Sequence, residues 1–238
     1  MVKFKDYVGF YRAAKQRKKS HQHYIKFENF QASIVMNFLR KNKVSLKGKR
    51  VLDIGCGRGG YAFRFNQGGA RVAAIDITRE YFQNVNGIDF VLADATQMPL
   101  KSDSFDFVFC SSLIEHVLHP ENLVSEIKRV LNKGGVCYLS FPPFWSPVGA
   151  HQFKPFHYLG ERAATTLARK LYHTKSYAYD DVYGKLKIRK IGQVKKWILK
   201  SGLEIKSITT RMSPINFAKI PLINELLTWH VEFLVKKV

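Results

Sequence analysis

Residues 49–60 read KRVLDIGCGRGG. A short apolar run, Val51 to Ile54, ends in glycines, which predicts a buried strand entering a tight turn. The pattern recurs downstream. RVAAIDIT predicts a second buried strand ending at Asp76, FVLADA a third ending at Asp94, and FDFVFCSS a fourth ending near Ser111. YAFRFNQ predicts a helix that stops at Gly68 and Gly69. In HPENLVSEIKRVLNKGG, Pro120 suits a first helical turn, Leu123, Ile127, Val130 and Leu131 form one face, and Gly134 closes the helix. VCYLSF is the fifth strand. Apolar strands alternating with helices predict a parallel sheet covered on both faces, with right-handed crossovers. In such sheets ligands lie at the carboxyl ends of the strands.

Upstream, ENFQASIVMNFLR predicts a helix over 28–40, with Phe30, Ile34 and Phe38 on one face and Val35 and Leu39 beside them. Residues 142–190, rich in Pro, aromatic residues and His, read as an insertion. VKKWILKSG is a helix closed by Gly202, and LINELLTW an apolar helix. LEIKSITTRM and HVEFLVKKV read as an antiparallel strand pair at the sheet edge.

The chain has 238 residues, 46% of them apolar, which excludes a disordered or fibrous chain. Its net charge is +21, unevenly placed: +12 over 1–50, −2 over 51–150 and +11 over 151–238. Such an excess suits an anionic partner or a lysine-rich proteome. No stretch reads as a signal peptide or a membrane-spanning helix, so a cytoplasmic location is expected. Cys56, Cys110 and Cys137 each sit in an apolar run and read as reduced and buried. No Cys/His pair has metal spacing, and His21 and His23 read as surface residues, so no metal is expected.

The glycine turn fits two ligands. Gly55, Gly57 and Gly60 match the dinucleotide pattern GxGxxG, and Gly55, Gly57 and Gly59 the GxGxG turn of S-adenosylmethionine enzymes. Asp76, 21 residues beyond Gly55, suits the ribose of either. Asp53 separates them. A carboxylate inside the turn repels a pyrophosphate but tolerates the ammonium and sulfonium of S-adenosylmethionine. Asp94, at the end of strand three, could accept from the adenine amino group; the alternative is a turn cap.

VLDIGCGRGG, IDIT, LADATQMPL, FDFVFCSSLIEHV and LNKGGVCYLSF resemble the consecutive motifs of class I S-adenosylmethionine-dependent methyltransferases, nearest the subgroup of ubiquinone- and menaquinone-biosynthesis-like (type 11) enzymes. The resemblance implies an α/β, Rossmann-like, doubly wound seven-stranded sheet, mostly parallel with an antiparallel last strand. It implies Gly55, Gly57 and Gly59 along the cofactor, Asp53 near its amino-acid part, Asp76 on the ribose, Ile77 against the adenine, Asp94 and Ala95 at the adenine edge, and Ser111 near the methionine part. S-adenosylhomocysteine is the implied product. Arg58 has no assigned role.

Methyl transfer needs alignment, and a hydroxyl acceptor also needs a base. His116, His151 and His157 are the candidates, each with a packing role as its alternative, and Glu115 could orient His116. The expected organisation is a basic N-terminal extension over 1–27 and a single domain over 28–238, with 142–190 covering the substrate. FPPF at 141–144 follows strand five and lacks a polar first residue, so it does not match the amino-methylating nucleic-acid motif. The expected acceptor is a small molecule, lipid-linked compound or glycan, anionic in character and methylated at oxygen. RNA methylation through the basic flanks and non-catalytic binding are the alternatives. Peripheral contact with a membrane also fits the basic tail.

Overall fold

The computed structural model describes residues 4–17, 19–82, 87–181, 185–213 and 215–238. Strands β1 (Arg50–Ile54), β2 (Arg71–Asp76), β3 (Ile88–Leu92), β4 (Phe105–Ser111), β5 (Leu131–Phe141), β6 (Leu203–Thr210) and β7 (Val231–Lys237) form one sheet. Its order is β3-β2-β1-β4-β5-β7-β6. β1 lies parallel to β2 and to β4, and β2 to β3. This is the mostly parallel seven-stranded α/β sheet the sequence implied, with one antiparallel pair.

Two compact units divide the chain. The first holds the residues up to Cys110, with Glu126–Cys137 and Lys237; the second holds Ser111–Ser125, Tyr138–Lys236 and Val238. In the first, α3 (Gly60–Gln67) buries Ala62 and Phe65. Phe65 meets Phe109 of β4 edge-on, with ring centroids 5.0 Å apart.

Helices α1 (Phe4–Gln16) and α2 (His21–Lys41) precede β1. The helix expected from residue 28 thus begins at His21, where Ser20 caps it by accepting from the His23 N–H. It runs through the expected boundary at 27/28. Its buried face is Phe27, Glu28, Ala32, Val35 and Leu39, not Phe30, Ile34 and Phe38. Phe30 turns instead toward α1, where only a glycine, Gly9, leaves room: a Cβ there would stand 2.9 Å from the Phe30 ring.

Helix α4 (Pro120–Val130) stops earlier than Gly134. The carbonyls of Arg129 and Val130 accept from the N–H groups of Asp103 and Ser104, which draws the chain into β5 from Leu131. The three cysteines are free and buried.

The second unit carries α5 (Glu161–Tyr172), α6 (Ile191–Lys200), the short α7 (Asn224–Leu227) and several 3-10 turns. Residues 144–186 build a small core of their own: Phe144, Ala150, Phe153, Ala164, Ala168, Tyr179 and Leu186. That core explains the aromatic wealth of the segment read as an insertion. Among the described residues, no helix is long and apolar enough to cross a membrane.

Candidate functional site

In the first unit the glycine turn joins β1 to α3. Gly55, Gly57 and Gly59 all have positive φ, which side chains with a Cβ rarely adopt. At Gly57, with φ +52°, a Cβ would meet nothing within 4 Å. Gly57 therefore presents bare backbone to open space, as a closely approaching ligand requires, whereas a Cβ on Gly59 would stand 2.9 Å from the Phe82 ring. The Gly57 N–H donates to Asp76 Oδ2 at 2.9 Å, and the Thr78 N–H donates to Oδ1 at 3.1 Å. Asp76 is thus fixed at the end of β2, with lone pairs left for ligand hydroxyls.

Three carboxylates surround this turn. Asp53 is buried, and its Oδ2 has no hydrogen-bond partner. Burial first, and then the charge of Glu28, raises its pKa well above the usual range. Glu28 Oε2 accepts from the Gly60 N–H at 3.2 Å, and burial pushes its pKa up to about 7. The Cys56 thiol is pushed up by burial and by Asp53, Asp76 and Glu28. Burial thus favours the protonated forms of Asp53 and Glu28; a cation bound at the turn would stabilise their charged forms, whereas a pyrophosphate would oppose them.

Farther along the sheet edge, Ile77 is 72% exposed directly after Asp76. Asp94 Oδ1 accepts from both the N–H and the hydroxyl of Thr96, each at 2.8 Å. Asp94 is therefore a turn cap, with its side chain exposed; Ala95 follows it, half-buried. Arg58 lies over the Tyr24 ring at 4.5 Å and the Tyr81 ring at 5.5 Å. Glu28, Tyr24 and Arg58 had no assigned role in the sequence reading. The signal for Glu28 was its isolation: it and Asp6 are the two acids among the first fifty residues.

The remaining candidates lie in the second unit. The Ser111 hydroxyl accepts from Ser140 Oγ at 2.9 Å and from Arg211 Nη2 at 3.3 Å. Arg211 also binds Glu232, Tyr138 and Ser140, all buried. Ser111 is thus one member of a buried polar network. The rings of His116 and His151 stack at 5.0 Å with an 8° interplanar angle. Burial, then His116 and Lys154, lowers His151 to about 4, so it is neutral at pH 7. Glu115 beside them is 1% exposed, and burial raises it to about 8. His157 is fully enclosed, against Phe144, Trp145 and Tyr158. The structure thus brings His116 and His151 together and leaves His157 as a packing residue.

Residues 52–139 match a family model described as a methyltransferase domain. Over this stretch the chain is similar to methyltransferase domains. An uncharacterized methyltransferase of Mycobacteroides abscessus is 34% identical over 146 residues, covering 57% of this chain and 56% of that relative. One from Mycobacterium avium is 32% identical over 142 residues, with the same shares. The chain thus spans about half the length of the curated relatives it matches. Among solved structures, an S-adenosylmethionine-dependent methyltransferase of Mesorhizobium loti aligns at a TM-score of 0.60 and 20% identity, covering 84% of this chain and 96% of that one. The magnesium protoporphyrin IX methyltransferase of Synechocystis, with bound S-adenosylhomocysteine, aligns at 0.56 and 16%, over 88% and 83%. At these identities the two structures speak for the fold. The matched domain begins inside β1 and ends inside β5, so it takes in the glycine turn, Asp76 and Asp94.

Proposed function

We propose that the protein transfers the methyl group of S-adenosylmethionine to an acceptor oxygen. The observation that carries this reading is the open glycine turn ringed by Glu28, Asp53 and Asp76. A cationic ligand with a ribose satisfies all three features, whereas a dinucleotide would set its pyrophosphate against the carboxylates. S-adenosylmethionine, when bound, supplies a methyl carbon already activated by its sulfonium. Asp76 would hold the ribose hydroxyls, and Ile77 would pack on the adenine. Asp94 and Ala95 would meet the adenine edge, and Asp53 the ammonium. Gly55, Gly57 and Gly59 would let the backbone close on the ligand, and Ser111 would stand at the methionine part. The chain's work is then alignment and charge matching.

His116 and His151 are the groups that would serve the acceptor, since an oxygen acceptor must lose a proton. The acceptor we infer is a small molecule, lipid-linked compound or glycan. The basic excess of the flanks supports an anionic acceptor. Incubation with methyl-labelled S-adenosylmethionine and fractionated extract tests this. Label in lipid, glycan or small-molecule fractions is expected. Ribonuclease-sensitive label would replace the acceptor with RNA, and affinity for S-adenosylmethionine without any labelling would leave a binding protein.

A further inference from the structure

Within the second unit, Glu115, His116 and His151 offer a carboxylate oxygen and two imidazole nitrogens that all lie within 4.8 Å of one another. Glu115 and His116 follow β4, and His151 opens a 3-10 turn at His151–Phe153. Three separate observations suggest that the cluster is built for a ligand. Neither Glu115 carboxylate oxygen has a hydrogen-bond partner, although the residue is 1% exposed. His151 Nδ1 is likewise buried without a partner. His151 has φ +50°, a strained backbone for a residue with a Cβ. Arg189 lies near enough to favour the Glu115 charge, but its Nε and Nη2 donate to the carbonyls of Ile114 and Val117, and neither Glu115 oxygen accepts from it. Buried polar atoms left unsatisfied are costly, so a bound ligand is the economical explanation.

We propose that Glu115, His116 and His151 bind a divalent transition ion of the zinc type. Two imidazoles and one carboxylate are a borderline donor set, suited to Zn²⁺ or Co²⁺ and poorly suited to Mg²⁺ or Ca²⁺, which take mainly oxygen ligands. Three protein ligands leave a coordination position open, and both histidines are only half-buried. The open position takes water or an acceptor oxygen. This places the acceptor-side role of the histidine pair on an ion and in that respect rests on the methyl-transfer reading; the ion binding itself does not.

The test is titration of the metal-free full chain with Co²⁺ in the absence of S-adenosylmethionine, followed by visible absorption and by the ring nitrogen resonances of the histidines. One equivalent should bind with ligand-field bands of a four- or five-coordinate ion, shifting two histidine spin systems. Glu115→Gln and His151→Asn should each weaken binding about tenfold or more, while His119→Ala, on the same segment, should not change it. If a variant misfolds, the histidine resonances of the unaltered chain still decide the matter. Binding of equal strength in the Glu115 and His151 variants, or shifts confined to other histidines such as His21 and His23, would overturn the site. Failure of methyl transfer with intact Co²⁺ binding would count against the activity and not the ion.

Discussion

Glu28 stands in a strongly basic stretch and is nearly sequestered from water, so its charge state is tied to folding. The native carboxyl keeps its proton up to about pH 7, while an unburied glutamate releases it near 4.5. Between these values the native chain binds more protons than the unfolded one, so stability falls as pH rises, by about 3 kcal/mol once above pH 7. Glu28→Gln keeps an acceptor for the Gly60 N–H and removes this titration. Urea denaturation of the variant from pH 4.5 to 7 should show a shallower loss, with Asp53 contributing the slope that remains. A slope equal to that of the unaltered chain would contradict the assignment. At this scale the sequence was most informative where chemistry needs one residue type. That Asp53, Asp76 and the glycines meet at one turn was legible from their spacing. That Glu28 joins them was not, because its place against the turn arises from the packing of one helix on another, which no local spacing encodes.

Gly57 and Gly60 make the same point for elements, since they sit in one turn and do different things. A Cβ on Gly60 would lie 2.5 Å from the Glu28 Cβ, so α2 and α3 can approach closely only across a glycine. Gly60→Ala should lower stability by about 1–3 kcal/mol, as overpacking does, with a lower melting temperature. Gly57→Ala meets no neighbour and should cost about 1–2 kcal/mol for its left-handed backbone, yet it should also weaken S-adenosylmethionine binding, because the methyl group enters the ligand's space. Calorimetry and thermal melting on both variants separate the two effects; a Gly57 variant with unaltered affinity would move the ligand elsewhere. Phe153→Ala removes a fully buried ring from the core of residues 144–186 and should cost about 3–5 kcal/mol. Proteolysis should then cut that segment first. The strands were readable because buried parallel strands are continuous apolar runs. Helix ends were less so. The end of α4 is decided by Asp103 and Ser104, and the start of α2 by Ser20 in a run of charges whose helical period is weak.

Over the whole chain, the +21 charge lies mainly outside the stretch that carries the glycine turn, Asp53 and Asp76. The net charge of residues 51–150 is −2, and the excess lies in the flanks. Raised ionic strength should therefore weaken binding of an anionic acceptor and leave S-adenosylmethionine affinity nearly unchanged, because a buried or partly buried site is screened much less. An RNA acceptor would show a much steeper salt slope. The α/β class followed from the alternation of apolar runs and helices, and the mostly parallel seven-stranded sheet from the motif resemblance; the strand order came only with the fold. The Glu115–His116–His151 cluster did not, because His151 lies 35 residues beyond His116 and only the fold brings the rings together. The central claim, a cationic nucleoside cofactor at the Asp53–Asp76 turn, is tested most directly by calorimetric titration of S-adenosylmethionine and of NAD⁺ into the unaltered chain and its Asp76→Ala variant. One-site binding of S-adenosylmethionine, weakened about tenfold or more in the variant through loss of bonds worth about 1.4 kcal/mol or more, with no binding of NAD⁺, is the predicted result. NAD⁺ binding in its place, or equal S-adenosylmethionine affinity in both proteins, would contradict it.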